Sequence, residues 1–514
     1  MTLVVETPAT RPRERDYIFN VVLKEFLGLS WSRVSGKDSR VRMYIPGHAG
    51  EIRMPDIFLQ TPDQGWLTSS SLPREPLTVF DIGMLGLSIN LVDLRLPIIY
   101  GDQVSEARLK NLDSRVHGHQ TFSAENAFDY LCLPGQEKVG NRSTNQETGV
   151  QSFTSSFSPY PLYLPIDIFG SAFFMLTRYE EIVRQDRDEH DRFPGRASLA
   201  YRGGFLDRPI IDEYLEVLRA AMKKLWPGLE SSRGEGRIWV SCDVDNPYAI
   251  QVKSWFLTAR RAVADLVKRR DPSTALSTLR NTYFSRRGCY NHDPFHTFDW
   301  MMDVNEEAGN RMSFYFMSCC SDSVFCAPYQ IQEKRILELL RCIHARGHEI
   351  GLHGSYGSFR NAALISRERR NLASACRMAG ADDSVRGNRQ HYLRWDAART
   401  QDNLEEASFE YDTSGSFADL PGFRYGTCRD FPMWSWKKQR GLKIRQCPLV
   451  LMECSVIADR YLGLGYSIRA LEHMLKLKSR ALRFGGSFTL LWHNSHFRNL
   501  YDREFYISLI SRRL

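Results

Sequence analysis

The sequence has no long apolar run. No stretch of about 18 consecutive apolar residues occurs, so a membrane-spanning helix is not expected. The first residues, MTLVVETPATRPRERDY, also lack the apolar core of about 7–15 residues that a secretory signal carries. No internal repeat or long low-complexity segment is evident. These absences lead us to expect a cytoplasmic protein.

Cysteine is scarce in the first half of the chain. Ten of the eleven cysteines follow residue 240, and none forms the paired C-x-x-C pattern of a zinc site. We interpret them as reduced, mostly buried thiols, as expected for a cytoplasmic protein.

The net charge and the length of the chain exclude few classes of protein. Lys and Arg number 68 against 60 Asp and Glu, which gives a net charge of +8 over 514 residues. This excess permits contact with anionic glycans or a membrane surface, but we expect no nucleic-acid partner. The basic stretch KSWFLTARRAVADLVKRR (253–270) would allow weak membrane-surface contact, although a solvated face of a core helix is the favoured interpretation. The length predicts two or three domains.

The pattern of elements predicts two domains of the α/β class. An α+β N-terminal domain (1–232) ends in the linker-like stretch PGLESSRGEG (227–236). Helix and strand patterns then alternate through residues 233–514, which indicates a parallel sheet, open or barrel-like. In such folds the polar residues at the C-terminal ends of strands face a common site.

Several acids and histidines stand at predicted strand ends. Asp243 and Asp245 end RIWVSCDVD, and a period of two puts both carboxylates on one face, where they would bind a cation or cap the next helix. His353 ends HEIGLH and could join Asp245 as a ligand, although a lone His is more often structural. His493 follows SFTLLW and could be a general acid or base. His348, of opposite parity to His353, is expected to pack behind the strand.

Four motifs in this order resemble the polysaccharide deacetylase superfamily (NodB homology, carbohydrate esterase family 4). They are SCDVD (241–245), GHEIGLH (347–353), RQHY (389–392) and LWH (491–493). The resemblance covers about residues 237–500 and implies a distorted (β/α) barrel. The stretches DIFGSAFFMLTRYEEI and YDTSGSFADLPGFRYGTCRDF resemble a bacterial subgroup that carries an additional uncharacterised N-terminal domain.

The resemblance implies a metal-dependent deacetylase that removes an N-acyl or O-acyl group from a sugar. The subgroup suggests O-antigen, lipopolysaccharide or other surface-polysaccharide biosynthesis, with a sugar, nucleotide-sugar or lipid-linked glycan as substrate. By position, Asp243 would be the base, His493 the acid and Arg389 the residue that orients Asp243. Asp245 and His353 would bind a divalent ion, and the resemblance implies that this ion is Zn²⁺. Substrate contacts are expected from Tyr392, Ser355, Tyr356 and Trp492.

The sequence departs from the family pattern at two positions. Gly357 stands where the family has a second His ligand, and His391 replaces the Pro of the family's RxPY motif. A catalytic zinc usually has three protein ligands. Either His391 restores the third ligand, or the metal is held weakly, or the site is metal-free. His292 and His296 of NHDPFH could also contribute.

Two other functions therefore stay open. The chain could be a catalytically degenerate glycan-binding scaffold that retains the fold. It could also be a metal-independent amidohydrolase that acts on the non-peptide C–N bonds of a small substrate. Metal analysis distinguishes both from a metal-dependent deacetylase.

Overall fold

The chain divides into two compact units that are discontinuous in sequence. The computed structural model describes residues 1–102, 161–249, 293–497 and 499–512, with a few separate positions between 259 and 290. The first unit comprises Met1–Phe174 and Ile210–Ser232, and the second comprises Met175–Pro209 and Arg233–Leu514. The contacts therefore place the segment Met175–Pro209 with the C-terminal part of the chain. The domain prediction of 1–232 and 233–514 stays a prediction.

The first unit is built on a sheet that, within the described residues, has five strands in the order β2-β1-β3-β4-β7. These strands are β1 Thr2–Thr7, β2 Ser30–Ser35, β3 Arg40–Tyr44, β4 Glu51–Pro55 and β7 Leu162–Tyr163. A separate hairpin pairs β5 Thr78–Asp81 with β6 Arg95–Ile98. Helix α1 Pro12–Phe19 continues into a π-helical stretch, Asn20–Phe26. The amphipathic pattern of IDEYLEVLRAAMKKL correctly predicts the helix Ile210–Leu225.

The segment between residues 168 and 209 carries three further helices. They are α2 Ile168–Leu176, α3 Tyr179–Val183 and α4 Leu199–Arg202, and the helix Ile210–Leu225 is α5. The sequence pattern predicts one continuous helix across α2 and α3. The structure instead breaks it at Arg178, whose φ of 52° lies in the left-handed region.

The second unit contains a sheet of nine strands among the described residues, in the order β13-β14-β12-β11-β10-β9-β8-β16-β15. Every neighbouring pair is parallel except β13 with β14. The C-terminal ends of eight strands therefore lie along one edge. The strands are β8 Arg237–Val244, β9 Met312–Phe316, β10 Glu349–Gly354, β11 Gly387–Gln390, β12 Tyr411–Asp412, β13 Phe431–Ser435, β14 Arg440–Gln446, β15 Leu451–Met452 and β16 Ser487–Leu491.

Helices connect these strands, as the alternating pattern predicts. Their apolar residues recur at helical spacing: Ile336, Leu339, Leu340 and Ile343 of helix Lys334–Ala345 are all buried. That helix is followed by Gly347, whose φ of 74° allows the left-handed turn into β10. The helices are α6 Phe298–Glu307, α7 Lys334–Ala345, α8 Ala362–Ala379, α9 Thr400–Glu406, α10 Glu453–Ile457, α11 Ile468–Arg483 and α12 Leu500–Ile510.

The mixed α/β class is confirmed, and the curled nine-stranded sheet is consistent with the predicted distorted barrel. The structure pairs Cys320 with Cys326 in a disulfide, so the prediction that all cysteines are reduced is wrong for this pair. Among the described helices, none has the length and apolar character needed to cross a bilayer. The basic stretch 253–270 lies outside the described residues except for positions 259 and 263.

Candidate active site

The edge formed by the strand ends brings together the polar residues predicted from the sequence. Asp243 lies in β8 and Asp245 follows it, while His353 lies in β10. His391 follows β11, and His493 follows β16. Because these strands are parallel and close in the sheet, residues scattered over 250 positions converge on one site.

Three of these side chains form a cluster whose ligand atoms face one another. Nε2 of His353 lies 3.2 Å from Oδ1 of Asp245 and 3.0 Å from Nδ1 of His391. Nδ1 of His391 lies 3.6 Å from the same Oδ1. Bonds to zinc of about 2.0–2.1 Å in a tetrahedral site separate ligand atoms by roughly 3.3 Å. The spacing of this triangle therefore fits a single zinc ion.

The surroundings of the triangle also fit a bound cation. Nδ1 of His353 lies 2.9 Å from the carbonyl oxygen of Arg389 and can donate to it, which leaves Nε2 as the ligand atom. The buried Oδ1 of Asp245 has no hydrogen-bond partner among the described residues. A buried carboxylate oxygen without a partner is costly unless a cation meets it. Asp245, His353 and His391 could therefore hold a divalent ion.

The electrostatics of the triangle favour deprotonated ligands at two corners. Burial opposes ionisation of Asp245, yet the charges of His391, His353 and His493 lower the pKa of this carboxyl below its ordinary value. Burial lowers the pKa of His391 to about 3, even though Asp245 opposes the shift. A carboxylate and a neutral imidazole are the forms that bind metals.

Asp243 stands beside the triangle and is paired with a buried arginine. Its Oδ1 lies 3.6 Å from Nη1 of Arg389, and its Oδ2 lies 3.8 Å from Nε2 of His353. Arg389 is held by donation from Nε to Thr413 at 2.7 Å and from Nη2 to Ser241 at 3.1 Å. Arg389 and Asp243 thus form a buried ion pair, but the hydrogen bond predicted between them is not formed: Oδ1 of Asp243 and Nη1 of Arg389 have no hydrogen-bond partner among the described residues.

On the other side of Asp245, His493 belongs to a second polar cluster. Its Nε2 lies 3.7 Å from Oδ2 of Asp245, and its Nδ1 lies 2.6 Å from Oε1 of Glu453. Nδ1 of His496 lies 2.7 Å from the same Oε1, and 3.4 Å from Sγ of Cys454. Glu453 is 2% exposed, so it is a buried partner for both imidazoles.

This cluster favours a protonated His493. Burial opposes the charge, but Glu453 outweighs it and raises the pKa of His493 well above the ordinary value. His496 follows the same pattern: burial opposes its charge, but hydrogen bonds with Cys454 and Glu453 raise its pKa to about 9. Glu453 itself stays ionised, because the two imidazoles lower its pKa despite burial. The arrangement is a His–carboxylate dyad aimed at Asp245. The four residues also carry metal-ligating groups.

A cavity of about 270 Å³ opens onto both clusters. Its polar floor comes from Asp243, Asp245, His353, His391 and His493. Its walls are mostly apolar or aromatic and include Met317, Val324, Phe325, Ala327, Pro328, Tyr392, Leu393, Met452 and Tyr461. Arg192 and Arg460 also line it.

Tyr392 and Tyr356 lie in or next to the cavity wall. Tyr392 lines the cavity, with its ring 4.6 Å from that of His391. The Tyr356 ring stacks at 4.2 Å on Phe325, which lines the cavity. Tyr356 therefore supports the wall from behind.

Ser355 and Trp492 do not line the cavity. Ser355 is buried and donates its backbone N–H to Glu368 at 3.1 Å. Trp492 is 0% exposed and stacks on Phe497 at 5.6 Å, because alternation along the strand points it away from His493. Their surroundings give neither side chain direct access to a substrate in the cavity.

The remaining histidines and Gly357 have other surroundings. Gly357 is exposed, donates its N–H to Ser321 at 2.8 Å and does not line the cavity. His348 is buried behind the strand, where Nδ1 accepts from the N–H of Met312, as expected. His296 stacks on Tyr248, and His292 lies outside the described residues.

Sequence analysis missed several residues of the site, among them Glu453, Cys454 and Arg192. Glu453 follows the apolar run PLVLM, which is the signal that identified Asp243 and His493 and could have found it. Cys454 follows Glu453 directly. Arg192 lies 45 residues before the start of β8, and no local pattern marks it.

Comparisons with known proteins give one family match and distant structural similarities. Residues 90–227 match a family of unknown function, DUF7033. No curated protein matches the sequence.

The similar solved structures include a protein assigned as a polysaccharide deacetylase from Mycobacterium smegmatis. It is 16% identical, with 55% of this chain and 86% of that chain covered and a TM-score of 0.35. Puue allantoinase is 14% identical, and the match covers 55% of this chain and 85% of the allantoinase chain with a TM-score of 0.31. A protein assigned as a polysaccharide deacetylase from Pseudomonas aeruginosa PAO1 is 12% identical. The match covers 61% of this chain and 90% of that protein, with a TM-score of 0.31. Similarity this distant does not decide a function.

Proposed function

We propose that the chain is a metal-dependent deacylase that hydrolyses an N-acyl or O-acyl group on a sugar. The observation that carries the proposal is one cavity in which three metal-ligating side chains lie between a carboxylate, Asp243, and a His–carboxylate dyad, His493 with Glu453. Acyl hydrolysis is accelerated by a base that takes the proton of the attacking water and by an acid that protonates the leaving group.

Asp245, His353 and His391 would hold the divalent ion, for which zinc is the proposed identity. When bound, such an ion supplies Lewis acidity that polarises an acyl carbonyl and lowers the pKa of water. The buried Asp243 accepts the proton of the attacking water, and Arg389 keeps it oriented through their ion pair. The backbone N–H of Tyr392 is the proposed donor to the developing oxyanion.

His493 gives the proton to the leaving amine or alcohol. Glu453 holds its Nδ1, so Nε2 is the atom directed to Asp245 and the cavity. Tyr392, Phe325 and Tyr461 provide aromatic faces against which a sugar ring can pack. We leave Ser355 and Trp492 out of the proposed substrate contacts because both are buried away from the cavity. A role in surface-polysaccharide or O-antigen synthesis rests on the sequence resemblance.

The proposal is tested by elemental analysis and acetate release with the purified full chain. We expect about one zinc per chain and release of acetate from N-acetylated sugars such as N-acetylglucosamine oligomers or UDP-N-acetylglucosamine. Full hydrolysis without metal would contradict the proposal in favour of a metal-independent amidohydrolase. Zinc without hydrolysis of any acylated sugar would favour a glycan-binding scaffold.

Replacing Glu453 with Gln is expected to move the alkaline limb of the pH–rate profile to lower pH. Glu453 raises the pKa of His493, so the protonated acid persists to higher pH in the native protein. Without the carboxylate this pKa falls, and the acid loses its proton earlier as the pH rises. The measurement is kcat/KM against pH on an N-acetylated sugar. Glu338→Gln, a change at a half-exposed helix residue, is the matched control. An alkaline limb that stays in place or moves to higher pH would contradict the proposal that Glu453 raises the pKa of the acid His493.

A further inference from the structure

We infer that Arg192 is a positioning residue of this site: it holds the turn at Tyr392 and Leu393 that places His391 and the Tyr392 N–H. The inference rests on the proposed function. Arg192 lies within residues 90–227, the stretch that matches the family of unknown function. It therefore gives part of that stretch a role in the chemistry of the second unit, to which Met175–Pro209 belongs.

The turn that follows β11 has an unusual backbone. Tyr392 has φ 60° and ψ 13°, and Leu393 has φ 55°. Both values lie in the left-handed region, which side chains with a Cβ atom rarely adopt, and here two such residues are consecutive. A backbone like this persists only where the surroundings fix it. Because His391 directly precedes the turn, the same contacts also fix the third corner of the metal triangle.

Arg192 makes the contact that holds this turn most directly. Its Nη1 donates to the carbonyl oxygen of Tyr392 at 2.9 Å. The neighbouring His190 packs its ring against that of Tyr392 at 4.6 Å. The segment that contains Arg192 thus contacts both the backbone and the side chain of Tyr392.

Arg192 is itself fixed by an aspartate on the same segment. Oδ2 of Asp188 accepts from Nε of Arg192 at 2.8 Å and lies 2.8 Å from its Nη2. Oδ1 of Asp188 accepts the backbone N–H groups of His190 and Arg192, each at 2.9 Å. Asp188 therefore closes the turn that carries Arg192 and pairs with Nε and Nη2, while Nη1 donates to Tyr392.

Contacts with other parts of the second unit anchor the segment before and after this turn. Glu181 pairs with Arg424 at 2.6 Å, and both side chains are buried. Gly195 donates its N–H to Asp419 at 2.8 Å. Arg394, which follows the Tyr392 turn, donates back to the carbonyl oxygen of His190 at 2.8 Å. Arg192 is thus held rigidly enough to position the turn.

The test compares zinc affinity and catalysis in full-length variants. Arg192→Met removes the donor to Tyr392, Arg192→Lys retains a charge, and Asp188→Asn loosens Arg192 without removing it. Arg184→Met is the matched control, because Arg184 lies on the same segment, pairs with Asp186 and does not line the cavity. The probes are Zn²⁺ alone, by competition with a chelator, and hydrolysis of 4-nitrophenyl acetate at saturating zinc.

We expect Arg192→Met to weaken zinc binding by about 10–100-fold, the range typical of residues that orient metal ligands. At saturating zinc, kcat should fall by at least about tenfold while KM stays within about twofold of the native value, because the turn supports the transition state rather than ground-state binding. Arg192→Lys should recover part of both losses. Asp188→Asn should show the same losses to a smaller degree, and Arg184→Met should show neither.

Three results would overturn the inference. One is native zinc affinity and kcat in Arg192→Met and Asp188→Asn. Another is a loss of activity that follows a fall in thermal stability equally in these variants and in Arg184→Met. The third is a native protein that neither binds zinc nor hydrolyses the ester, which would overturn the proposed function as well. If the native protein binds zinc and hydrolyses the ester, and the Arg192 and Asp188 variants have the same zinc affinity and kcat, only the role of Arg192 is overturned.

Discussion

Asp243→Asn is expected to lower kcat by roughly 10²–10⁴-fold, the usual contribution of a general base. Asparagine keeps the shape of the side chain but cannot accept the proton of the attacking water. Asp243 is 3% exposed and faces Arg389, so the amide leaves that buried guanidinium without its anionic partner. The measurement is kcat on an acylated sugar, together with zinc content.

Zinc content distinguishes the base role from a ligand role. We expect Asp243→Asn to retain zinc, because the triangle of Asp245, His353 and His391 does not include Asp243. Turnover near that of the native protein would exclude Asp243 as the base. Loss of zinc would make Asp243 a ligand instead.

Replacement of a histidine of the triangle is expected to remove the metal and the activity together. Loss of a residue that only orients ligands typically weakens metal binding by about 10–100-fold. His353→Ala and His391→Ala should each weaken zinc binding by more than this. The reason is geometric: their ligand nitrogens lie 3.0 Å apart and face the same carboxylate oxygen. Chelator competition and elemental analysis measure the loss.

His391 needs a second substitution because a sugar contact would also explain its place in the cavity lining. His391→Gln retains a polar group and should lose zinc affinity as His391→Ala does. Unchanged zinc content with a raised KM would instead assign His391 to substrate binding. His348→Gln is the control, since His348 is buried but pairs with Glu306, away from the cavity.

Much of the site could be predicted from local sequence because most of its polar residues stand at the ends of parallel strands. Asp243 and His493 each stand at the end of an apolar strand, and parallel strands bring such ends to one edge. The same rule applied to PLVLM would have found Glu453. It was missed because β15 has only two residues, Leu451–Met452, too few for a periodic pattern.

Other features depend on contacts that no local pattern encodes. Arg192 reaches Tyr392 across 200 residues of sequence. The left-handed backbone of Tyr392 and Leu393 goes against the preference of both residue types, so propensity predicts the opposite. Gly357 suggested a missing ligand and left His391 as one of three alternatives, and the three-dimensional structure places His391 beside Asp245 and His353.

Each of the two units is built from two separate stretches of the chain, and this matters when related genes recombine. The chain changes unit after residues 174, 209 and 232, so the segment with Arg192 is encoded between two parts of the first unit. A recombination event at 232 would join this segment from one parent to the sheet of another and would confront Arg192 with a foreign partner turn. We expect a C-terminal half exchanged at residue 232 to keep its zinc affinity only when residues 175–209 come from the same parent.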